Sequence, residues 1–308
     1  MNNNYSIGID LGGTNLRIAL VSEEGKVIKK IRVPSGDKVV ASLSDSIAQI
    51  INNNVVGIGI GVAGLIDRVK GVVLRSPNLP SIEGVEVTEI LKERFKVPVM
   101  IENDANVAAL GEKWLGAGRE FRDFVLLTLG TGIGGGVIYE GRLLNISAEI
   151  GHMVILAGGT KCSCGNLGCL ETYASARAIL TNAIKALEEG SESSLRKLYE
   201  GNFYKLSAED VYNMALDGDS LSRDILREAG RYLGIGISNV VNIFSPEAVI
   251  LAGGLAGAWN IYVQEAIREA SRRCFKELFD KTKVLPSTLK DDAGILGAAC
   301  LAFTCQKR

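Results

Sequence analysis

The order of apolar and polar residues at the start of the chain is typical of β-strands joined by tight turns. Apolar side chains alternate over residues 5–9, stop at a glycine-containing turn over 10–15, resume over 16–21 and stop again at 23–26. A period of two residues interrupted by glycine predicts a β-meander. We therefore expect the chain to open with antiparallel strands.

A second segment, residues 124–141, repeats this design. An apolar run over 124–129 leads into a glycine-rich turn over 130–136, and a further strand and hairpin follow. The two copies of strand, glycine turn, strand and hairpin indicate a diverged duplication.

Between and after these copies, strand and helix patterns alternate, which predicts α/β sheets. Ser207, followed by Glu209 and Asp210, is typical of a helix N-cap and first turn. From the cysteine-rich segment to about residue 243 the pattern is mostly helical. The other predicted elements are a helix near 37–53, strands at 55–61, 97–101 and 248–251, a helix at 86–95, a helix that begins after Asn103-Asp104, and a terminal helix at 291–305 that is rich in small residues.

The length of the chain predicts two domains, because 308 residues exceed the size at which a single hydrophobic core keeps growing. Residues 117–122 are the predicted hinge between them. We predict an N-terminal α/β domain over 1–117, a C-terminal α/β domain over 118–292, and a helix over 293–308 that packs back on the first domain.

Composition and charge narrow the class of function. The chain carries 34 basic and 35 acidic residues, a formal net charge of −1, which leaves no electrostatic attraction to nucleic acid or anionic lipid. No window reaches the roughly 18 uninterrupted apolar residues of a membrane span, and the N-terminus lacks a signal-peptide pattern. We expect a cytoplasmic protein that acts on small molecules, with no nucleic-acid or membrane partner.

Three cysteines and the single histidine of the chain crowd into residues 149–171. Cys162, Cys164, Cys169 and His152 supply the four donors that close a tetrahedral structural zinc site. The Cys-x-Cys spacing leaves a disulfide open as the alternative, although cytosolic thiols stay reduced and so favour metal. The other cysteines are expected to be buried thiols: Cys274, Cys300 and Cys305.

The two glycine turns have the parts of a phosphate cradle. Asp10 is placed to hold magnesium through water, while glycines expose backbone N–H groups. A plain hairpin is the alternative for the first turn, but the glycine density of the second favours a ligand, since each glycine in regular structure costs about 0.5–1 kcal/mol relative to alanine. The predicted residues are Asp10, Gly12, Gly13, Thr14 and Asn15 in the first turn and Gly130, Thr131, Gly132 and Gly134 in the second.

A third glycine pair, Gly253-Gly254, follows the predicted strand at 248–251. It predicts either a close backbone approach to a nucleoside or a tight strand-to-helix turn. None of the three segments matches the P-loop pattern or the dinucleotide-binding fingerprint, so neither of those nucleotide sites is expected.

Residues 102–106 read Glu-Asn-Asp-Ala-Asn, and they lie where a predicted strand gives way to a helix. Ligands of α/β sheets bind at such carboxyl ends of strands. The alternative is purely structural, with Asn103 as a helix cap and Asp104 as a first-turn acid.

Together these motifs resemble the ROK family (repressors, open reading frames, kinases) of the actin-like ATPase superfamily, and the resemblance covers essentially the whole chain. It implies a two-domain α/β fold of the actin-like ATPase (ribonuclease H-like) type with an interdomain cleft and a zinc loop. The matching stretches are DLGGTN at 10–15, GVAG at 61–64, SPNLP at 76–80, ENDAN at 102–106, LGTGIGGG at 129–136, EIGH at 149–152, CSCGNLGCLE at 162–171 and AGG at 252–254.

The resemblance also implies residue roles. Asp104 would be the general base for a sugar hydroxyl, with Glu102 structural. His152 would bind a structural zinc through one ring nitrogen and donate from the other to a sugar hydroxyl. ATP would lie in the three glycine segments. The implied sugar-binding residues are Gly64, Asn78, Asn103, Asp104, Glu149, His152 and Glu171.

The implied activity is phosphorylation of a hexose at O6 by ATP with Mg²⁺, glucose being the expected substrate. Fructose, N-acetylmannosamine and N-acetylglucosamine stay open as alternatives, because such sugars differ by one stereocentre or substituent. Family members commonly dimerise, which predicts a homodimer. Repressors of the family carry an N-terminal DNA-binding domain, whereas four residues precede the first predicted strand here. The remaining alternative is a sugar-sensing regulator that lacks this domain.

Overall fold

The computed structural model describes residues 4–36 and 38–304, which form two five-stranded sheets, a two-stranded ribbon and ten α-helices. None of the helices in these ranges is long and apolar enough to cross a membrane. The strands are β1 Tyr5–Leu11, β2 Asn15–Ser22, β3 Val27–Pro34, β4 Val55–Val62, β5 Leu65–Asp67, β6 Val72–Arg75, β7 Val99–Asn103, β8 Phe124–Leu129, β9 Ile133–Tyr139, β10 Arg142–Leu143, β11 Ala248–Ala252 and β12 Lys283–Pro286. The helices are α1 Val39–Ala48, α2 Val87–Phe95, α3 Asp104–Leu115, α4 Glu171–Ala174, α5 Ala176–Glu188, α6 Ala208–Leu216, α7 Ser220–Phe244, α8 Gln264–Arg273, α9 Lys276–Phe279 and α10 Ala293–Thr304.

Several predicted elements differ from the structure at their ends, among them one helix and one strand. The helix predicted at 37–53 is shorter, because α1 ends before an asparagine run at 52–54 that favours turns over helix. The strand predicted at 97–101 begins two residues later as β7, since Pro98 cannot donate to a sheet ladder and lies just before the strand. The N-cap predicted at Ser207 is confirmed: its side chain and that of Asp210 form a capping box at the start of α6.

The two large sheets share one strand order. The first runs β3-β2-β1-β4-β7 and the second β10-β9-β8-β11-β12. In the first, β1 pairs antiparallel with β2 and parallel with β4, and β4 pairs parallel with β7. The second has an antiparallel β9–β10 pair at one edge and a parallel β11–β12 pair at the other. This is the arrangement expected of a duplicated strand-turn-strand unit.

The chain divides into two compact units. Unit 1 comprises the described residues up to Leu126, Gly136–Ala148 and the described residues from Ser287 onward. Unit 2 comprises Leu127–Gly135 and Glu149–Pro286. The domain boundaries at 117/118 and 292/293 stay a prediction. Residues 305–308 of the predicted terminal helix lie outside the described residues.

The parallel strands of unit 1 end at one edge of their sheet. In the register of β1, β4 and β7, Asp10 lies beside Gly61, and Gly61 lies beside Glu102. The carboxyl ends of all three strands therefore meet there, which is where ligands of open α/β sheets bind. The sheet thus brings the glycine turn after β1, the segment after β4 and the start of α3 together.

Helix α10 packs with its backbone directly on this sheet. A Cβ atom on Gly8 would lie 2.1 Å from the carbonyl oxygen of Ile295, and one on Gly59 would lie 1.9 Å from that of Ala298. No real Cβ contact is that short, so only glycine lets the helix approach β1 and β4 this closely. The small residues of α10 continue the fit on its other side, where the helix meets α3.

The contact between α10 and α3 generates a stability prediction. In Gly297→Ala the new methyl group would lie 1.5 Å from the carbonyl oxygen of Val107. In an unhindered helix this change would stabilise the protein by about 1 kcal/mol. Overpacking reverses the sign, and we expect a net loss of about 1–3 kcal/mol. The control is Gly257→Ala, whose methyl group meets no atom within 4 Å. Thermal unfolding of both variants measures the difference, and equal melting temperatures would contradict the packing described.

Candidate functional site

Helix α3 begins where β7 ends, and its first turn carries the predicted base. Asn103 caps the helix, because its Oδ1 accepts hydrogen bonds from the backbone N–H groups of Ala105 at 2.9 Å and Asn106 at 3.3 Å. Its Nδ2 donates to the carbonyl oxygen of Gly64 at 3.2 Å. Asp104 is the first helical residue and is half-buried, at the helix end that favours negative charge.

The structural alternative considered for this junction is therefore present, with Asn103 as the cap and Asp104 as the first-turn acid. The two roles do not exclude each other. The cap uses the amide oxygen and one amide N–H of Asn103, which limits its contribution to a bound sugar to one donor. The cap also fixes the orientation of the turn that presents Asp104.

The remaining sugar-binding residues predicted in unit 1 lie beside this junction. Gly64 has a φ of 143°, and a Cβ there would lie 2.2 Å from the carbonyl oxygen of Arg75 and 3.2 Å from Cα of Ser76. A Cβ on Gly13 would lie 2.9 Å from the carbonyl oxygen of Asn78. The segment 76–78 thus runs against Gly64 on one side and against the first glycine turn on the other.

Glu83 holds this segment in place and was missed in the sequence. Its Oε1 accepts a hydrogen bond from the backbone N–H of Ser76 at 2.7 Å, while the hydroxyl of Ser76 donates to the carbonyl oxygen of Ala63 at 2.7 Å. Backbone and side chain of Ser76, two residues before Asn78, are therefore both fixed. A carboxylate seven residues away on an irregular loop gives no periodic signal that would reveal this contact.

The first glycine turn carries an ion pair that sequence reasoning also missed. Arg17 donates to the carboxylate of Asp10 and, through Nη1, to the carbonyl oxygen of Asp291 at 2.9 Å. Burial raises the pKa of Asp10, and the Arg17 guanidinium opposes that rise. In the antiparallel register Asp10 lies directly opposite Arg17, a cross-strand pairing that could have revealed the contact. The magnesium role predicted for Asp10 stays a prediction.

In unit 2 the second glycine turn is closed by hydrogen bonds to its own backbone and to the start of α5. The N–H of Gly130 donates to the carbonyl oxygen of Gly132 at 3.0 Å, and the N–H of Ala176 donates to that of Gly130 at 2.9 Å. Gly134 N–H donates to the hydroxyl of Thr128 at 3.1 Å. Thr131 lies exposed at the tip of this turn.

The third glycine pair lies beside the second turn. Gly253 has a φ of 87°, and a Cβ there would lie 2.5 Å from the carbonyl oxygen of Leu129. Gly254 has no neighbour within 4 Å of such a position. The carboxyl ends of β8 and β11 therefore bring these glycines together, as expected for a backbone-lined ligand site.

The predicted metal ligands form one cluster. The side-chain donor atoms of His152, Cys162, Cys164 and Cys169 all lie within 4.8 Å of one another. His152 Nδ1 is 3.5 Å from Cys162 Sγ, and the sulfur atoms of Cys164 and Cys169 are 3.7 Å apart. All three thiols are free, since a disulfide would need about 2.05 Å between sulfurs. The structure thus favours a metal-binding cluster over a disulfide.

The chemistry of the donors fits zinc. Burial raises the pKa of Cys162 and raises that of Cys169 to about 12, whereas the backbone N–H of Asn166 lowers that of Cys164. Three neighbouring thiolates repel one another unless a cation lies among them. Three sulfurs and one imidazole are the donor set of a closed tetrahedral zinc site.

Glycine shapes the loop that carries the cysteines. Gly168 has a φ of 79°, and a Cβ there would lie 1.8 Å from the carbonyl oxygen of Leu156. Two isolated β-bridges close the loop: one pairs Val154 with Cys169, and the other pairs Lys161 with Leu167. The loop therefore folds back on itself, which brings residues distant in sequence to His152.

Two glutamates flank the histidine on its two sides. His152 Nδ1 faces the metal cluster and lies 3.8 Å from Oε1 of Glu171, while Nε2 lies 3.9 Å from Oε2 of Glu149. Burial raises the pKa of Glu149, with His152 opposing and Glu171 adding to the rise. Oε2 of Glu171 lies 2.7 Å from where a Cβ of Gly132 would be, so this glutamate also borders the glycine turn.

The remaining cysteines differ from the expectation of buried thiols. Cys274 and Cys300 are half-buried, because Cys274 follows the last residue of α8 and Cys300 lies on a partly uncovered side of α10. The thiol of Cys274 donates to the carbonyl oxygen of Ser238 at 3.7 Å. Cys305 lies outside the described residues.

Geometry and sequence comparison agree on the family. A sequence model of the ROK family matches residues 6–304. The chain belongs to the ROK family. Structures of this family are two-domain actin-like ATPase folds with mixed α/β sheets, and the two sheets and two units described above correspond to that fold class.

Among its relatives, the chain is similar to a glucokinase of Thermotoga maritima, with 39% identity over 96% of each chain. It is 34% identical to a xylose repressor of Caldicellulosiruptor bescii over 96% of this chain and 77% of the repressor. Among solved structures it resembles a ROK family glucokinase from Streptomyces griseus in complex with glucose and AMPPNP. That match has a TM-score of 0.85 and 31% identity, and it covers 98% of this chain and all of the other.

The metal cluster yields a test of its composition. Purified protein is expected to hold about one zinc ion per chain, because three thiolates and an imidazole complete its coordination shell. Cys164→Ser should lose most of the zinc, since one ligand is removed. Metal analysis by mass spectrometry measures both, with Cys274→Ser as the control outside the cluster. Equal zinc content in the two variants would rule out Cys164 as a ligand.

Proposed function

We propose that this protein is a hexose kinase that transfers the γ-phosphoryl group of ATP to O6 of glucose. The observation that carries the proposal is the junction of β7 and α3, where the cap residue before Asp104 bonds to Gly64. Gly64 in turn lies against the segment that leads to Asn78 and the first glycine turn. The similarity to glucokinases, one of them solved with glucose and AMPPNP, supports the choice of substrates.

In the proposed reaction Asp104 accepts the proton of the O6 hydroxyl as O6 attacks the γ-phosphorus. The new bond is O6–P, the bond broken joins the γ-phosphorus to the β,γ-bridging oxygen, and ADP leaves. Asn103, Asn78 and Gly64 would hold the sugar near its reacting end, and Glu149, His152 and Glu171 would hold hydroxyls at its other end. Carboxylate and amide groups suit this task because they pair with a row of hydroxyls.

The glycine turns would bind the phosphates through backbone N–H groups, with Gly253 and Gly254 approaching the nucleoside. Mg²⁺, when bound, neutralises charge on the phosphates, and Asp10 is the residue proposed to hold it through water. Arg17 donates to the same carboxylate and so restricts its orientation.

The zinc would have a structural role, because the four ligands leave no open position for water. It would fix His152 through Nδ1, so that Nε2 remains for a sugar hydroxyl. The homodimer and the cytoplasmic location stay predictions.

A second candidate function is sugar sensing without phosphoryl transfer, which the similarity to a xylose repressor favours. Such a regulator would bind a sugar and leave ATP unchanged. Hexose binding together with ADP release separates the two functions, since only a kinase couples them. Fructokinase and N-acetylhexosamine kinase are the alternatives within the kinase class.

The role of Asp104 predicts a large effect on turnover. Asp104→Asn should fold and bind glucose but lose about a hundredfold or more in kcat, because an amide cannot accept the hydroxyl proton. Coupled ADP-release kinetics measure the loss, and Asp45→Asn is the control, since Asp45 lies exposed in a surface ion pair. If Asp104→Asn retains a third or more of the wild-type kcat, Asp104 is not the base.

The sugar site predicts a preference among substrates. Glucose should have a higher kcat/KM than fructose or either N-acetylhexosamine, because an unmatched buried group costs about 1–3 kcal/mol. Glu149→Gln should lower kcat/KM for glucose, while Glu89→Gln, an exposed helix position, serves as its control. ATP affinity should remain nearly unchanged in Glu149→Gln, because the residues proposed to bind ATP lie on other loops. A higher kcat/KM for another sugar would overturn glucose as the substrate.

A further inference from the structure

Arg68 lies on the turn between β5 and β6, a short ribbon that follows Gly64. Its guanidinium makes a two-pronged ion pair with Glu102, Nε to Oε2 at 2.5 Å and Nη2 to Oε1 at 2.7 Å. The Glu102 side chain is only 5% exposed. A buried carboxylate needs such a partner, because burial without a compensating charge is unfavourable.

Glu102, held by Arg68, also bonds to the turn that carries Asp104. Its Oε1 also accepts hydrogen bonds from the backbone N–H of Asn103 at 2.8 Å and from Nδ2 of Asn106 at 3.0 Å. These residues lie directly before and two positions after Asp104. The carboxylate of Glu102 therefore fixes the backbone directly before the proposed base and a side chain two positions after it.

A second contact of Arg68 reaches the end of unit 1. Its Nη2 donates to the carbonyl oxygen of Ile146 at 2.8 Å, and Nδ2 of Asn106 donates to the same oxygen at 3.0 Å. Ile146 lies three residues before Glu149, in a segment where Ala148 has a φ of 48°, which is strained for a residue with a Cβ. Arg68 thus also anchors the segment of chain that leads to Glu149.

The ribbon is tied to the helix at one more point, the bond from Asn103 Nδ2 to the carbonyl oxygen of Gly64. With Arg68 and Glu102 this makes two attachments between residues 64–68 and the start of α3. One of them depends on a flat, forked guanidinium, a geometry that lysine cannot reproduce.

We propose that Arg68 is a positioning residue of the hexose site, acting through Glu102 on Asn103 and Asp104 and through Ile146 on the segment before Glu149. The inference rests on the proposed function, whose hexose site it deepens. Arg68 does not take part in proton transfer. It holds Glu102, the residue that fixes the start of the turn on which the base lies.

Loss of the guanidinium should weaken glucose binding and lower kcat, and it should leave ATP binding unchanged. We expect Arg68→Ala to lower kcat/KM for glucose by about tenfold or more, through both a lower kcat and a higher glucose KM, because a small displacement of a catalytic group has an effect of that size. The KM for ATP should stay nearly unchanged. Arg68→Lys should recover little of the lost kcat/KM, since lysine keeps the positive charge but cannot make the two parallel hydrogen bonds of a guanidinium.

The experiment compares wild type, Arg68→Ala and Arg68→Lys with Arg94→Ala, which removes an exposed arginine of an ion pair in the same unit. Steady-state kinetics vary glucose and ATP separately, and calorimetry measures glucose binding without nucleotide. Guanidinium chloride, kept below denaturing concentrations, is added to each variant. It should restore activity to Arg68→Ala alone, which a merely destabilised protein would not show.

The inference is wrong if Arg68→Ala behaves like Arg94→Ala, or if its loss falls equally on glucose and ATP and guanidinium does not reverse it. If Arg68→Ala does not fold, the test is Arg68→Lys. The inference is then wrong if Arg68→Lys has the same kinetic constants and the same glucose affinity as the wild type. If wild-type protein binds glucose but releases no ADP, the proposed kinase activity is wrong. The role of Arg68 is then decided by comparing the glucose affinities of the variants measured by calorimetry. Wild-type protein that binds no hexose overturns both.

Discussion

The interaction on which the candidate site depends is the cap that Asn103 places on α3. Its side chain binds the first free N–H groups of the helix, and this fixes the direction in which the chain leaves β7. Asp104 is the next residue, and the helix dipole stabilises its negative charge. Glu102, on the other side of the cap, is held by Arg68 in a low-dielectric environment where such a pair keeps its geometry. Three consecutive residues thus combine a strand end, a cap and a carboxylate.

Close packing of other residues against glycines stabilises the sheet that carries this junction. The same kind of packing occurs in unit 2. Gly8 and Gly59 let α10 lie on the sheet whose strands end at the site, so the edge is backed by a helix rather than by mobile loops. In unit 2, Gly132 makes room for Glu171, which also faces His152 and accepts from the thiol of Cys162. A metal in the cysteine cluster would replace that thiol proton and would fix His152 directly, and Glu171 lies 3.8 Å from Nδ1 of the same histidine. This links the cluster to the proposed sugar contacts.

Sequence patterns predicted the parts of the fold that depend on local order. The β-meander, the terminal helix and the cap at Ser207 follow from periodicity and capping chemistry, and the metal cluster from residue type within one short segment. What escaped prediction depends on partners distant in sequence. Glu112, buried in α3, accepts hydrogen bonds from Ser287 and Leu289, and no pattern within either segment announces it. Arg68 is a further example, since its partner Glu102 is distant in sequence and a lone arginine on a turn is normally exposed. The half-buried state of Cys274 was missed because exposure at a helix end depends on what covers it.

The most direct measurement of the central claim is a crystal structure of the protein with glucose and a non-hydrolysable ATP analogue. The account predicts that O6 of glucose lies within about 3 Å of a carboxylate oxygen of Asp104, in line with the terminal phosphate. It also predicts Glu149, Glu171 and Nε2 of His152 on the hydroxyls at the other end of the ring. Glucose bound with O6 turned away from Asp104, or with another carboxylate against O6, would contradict it.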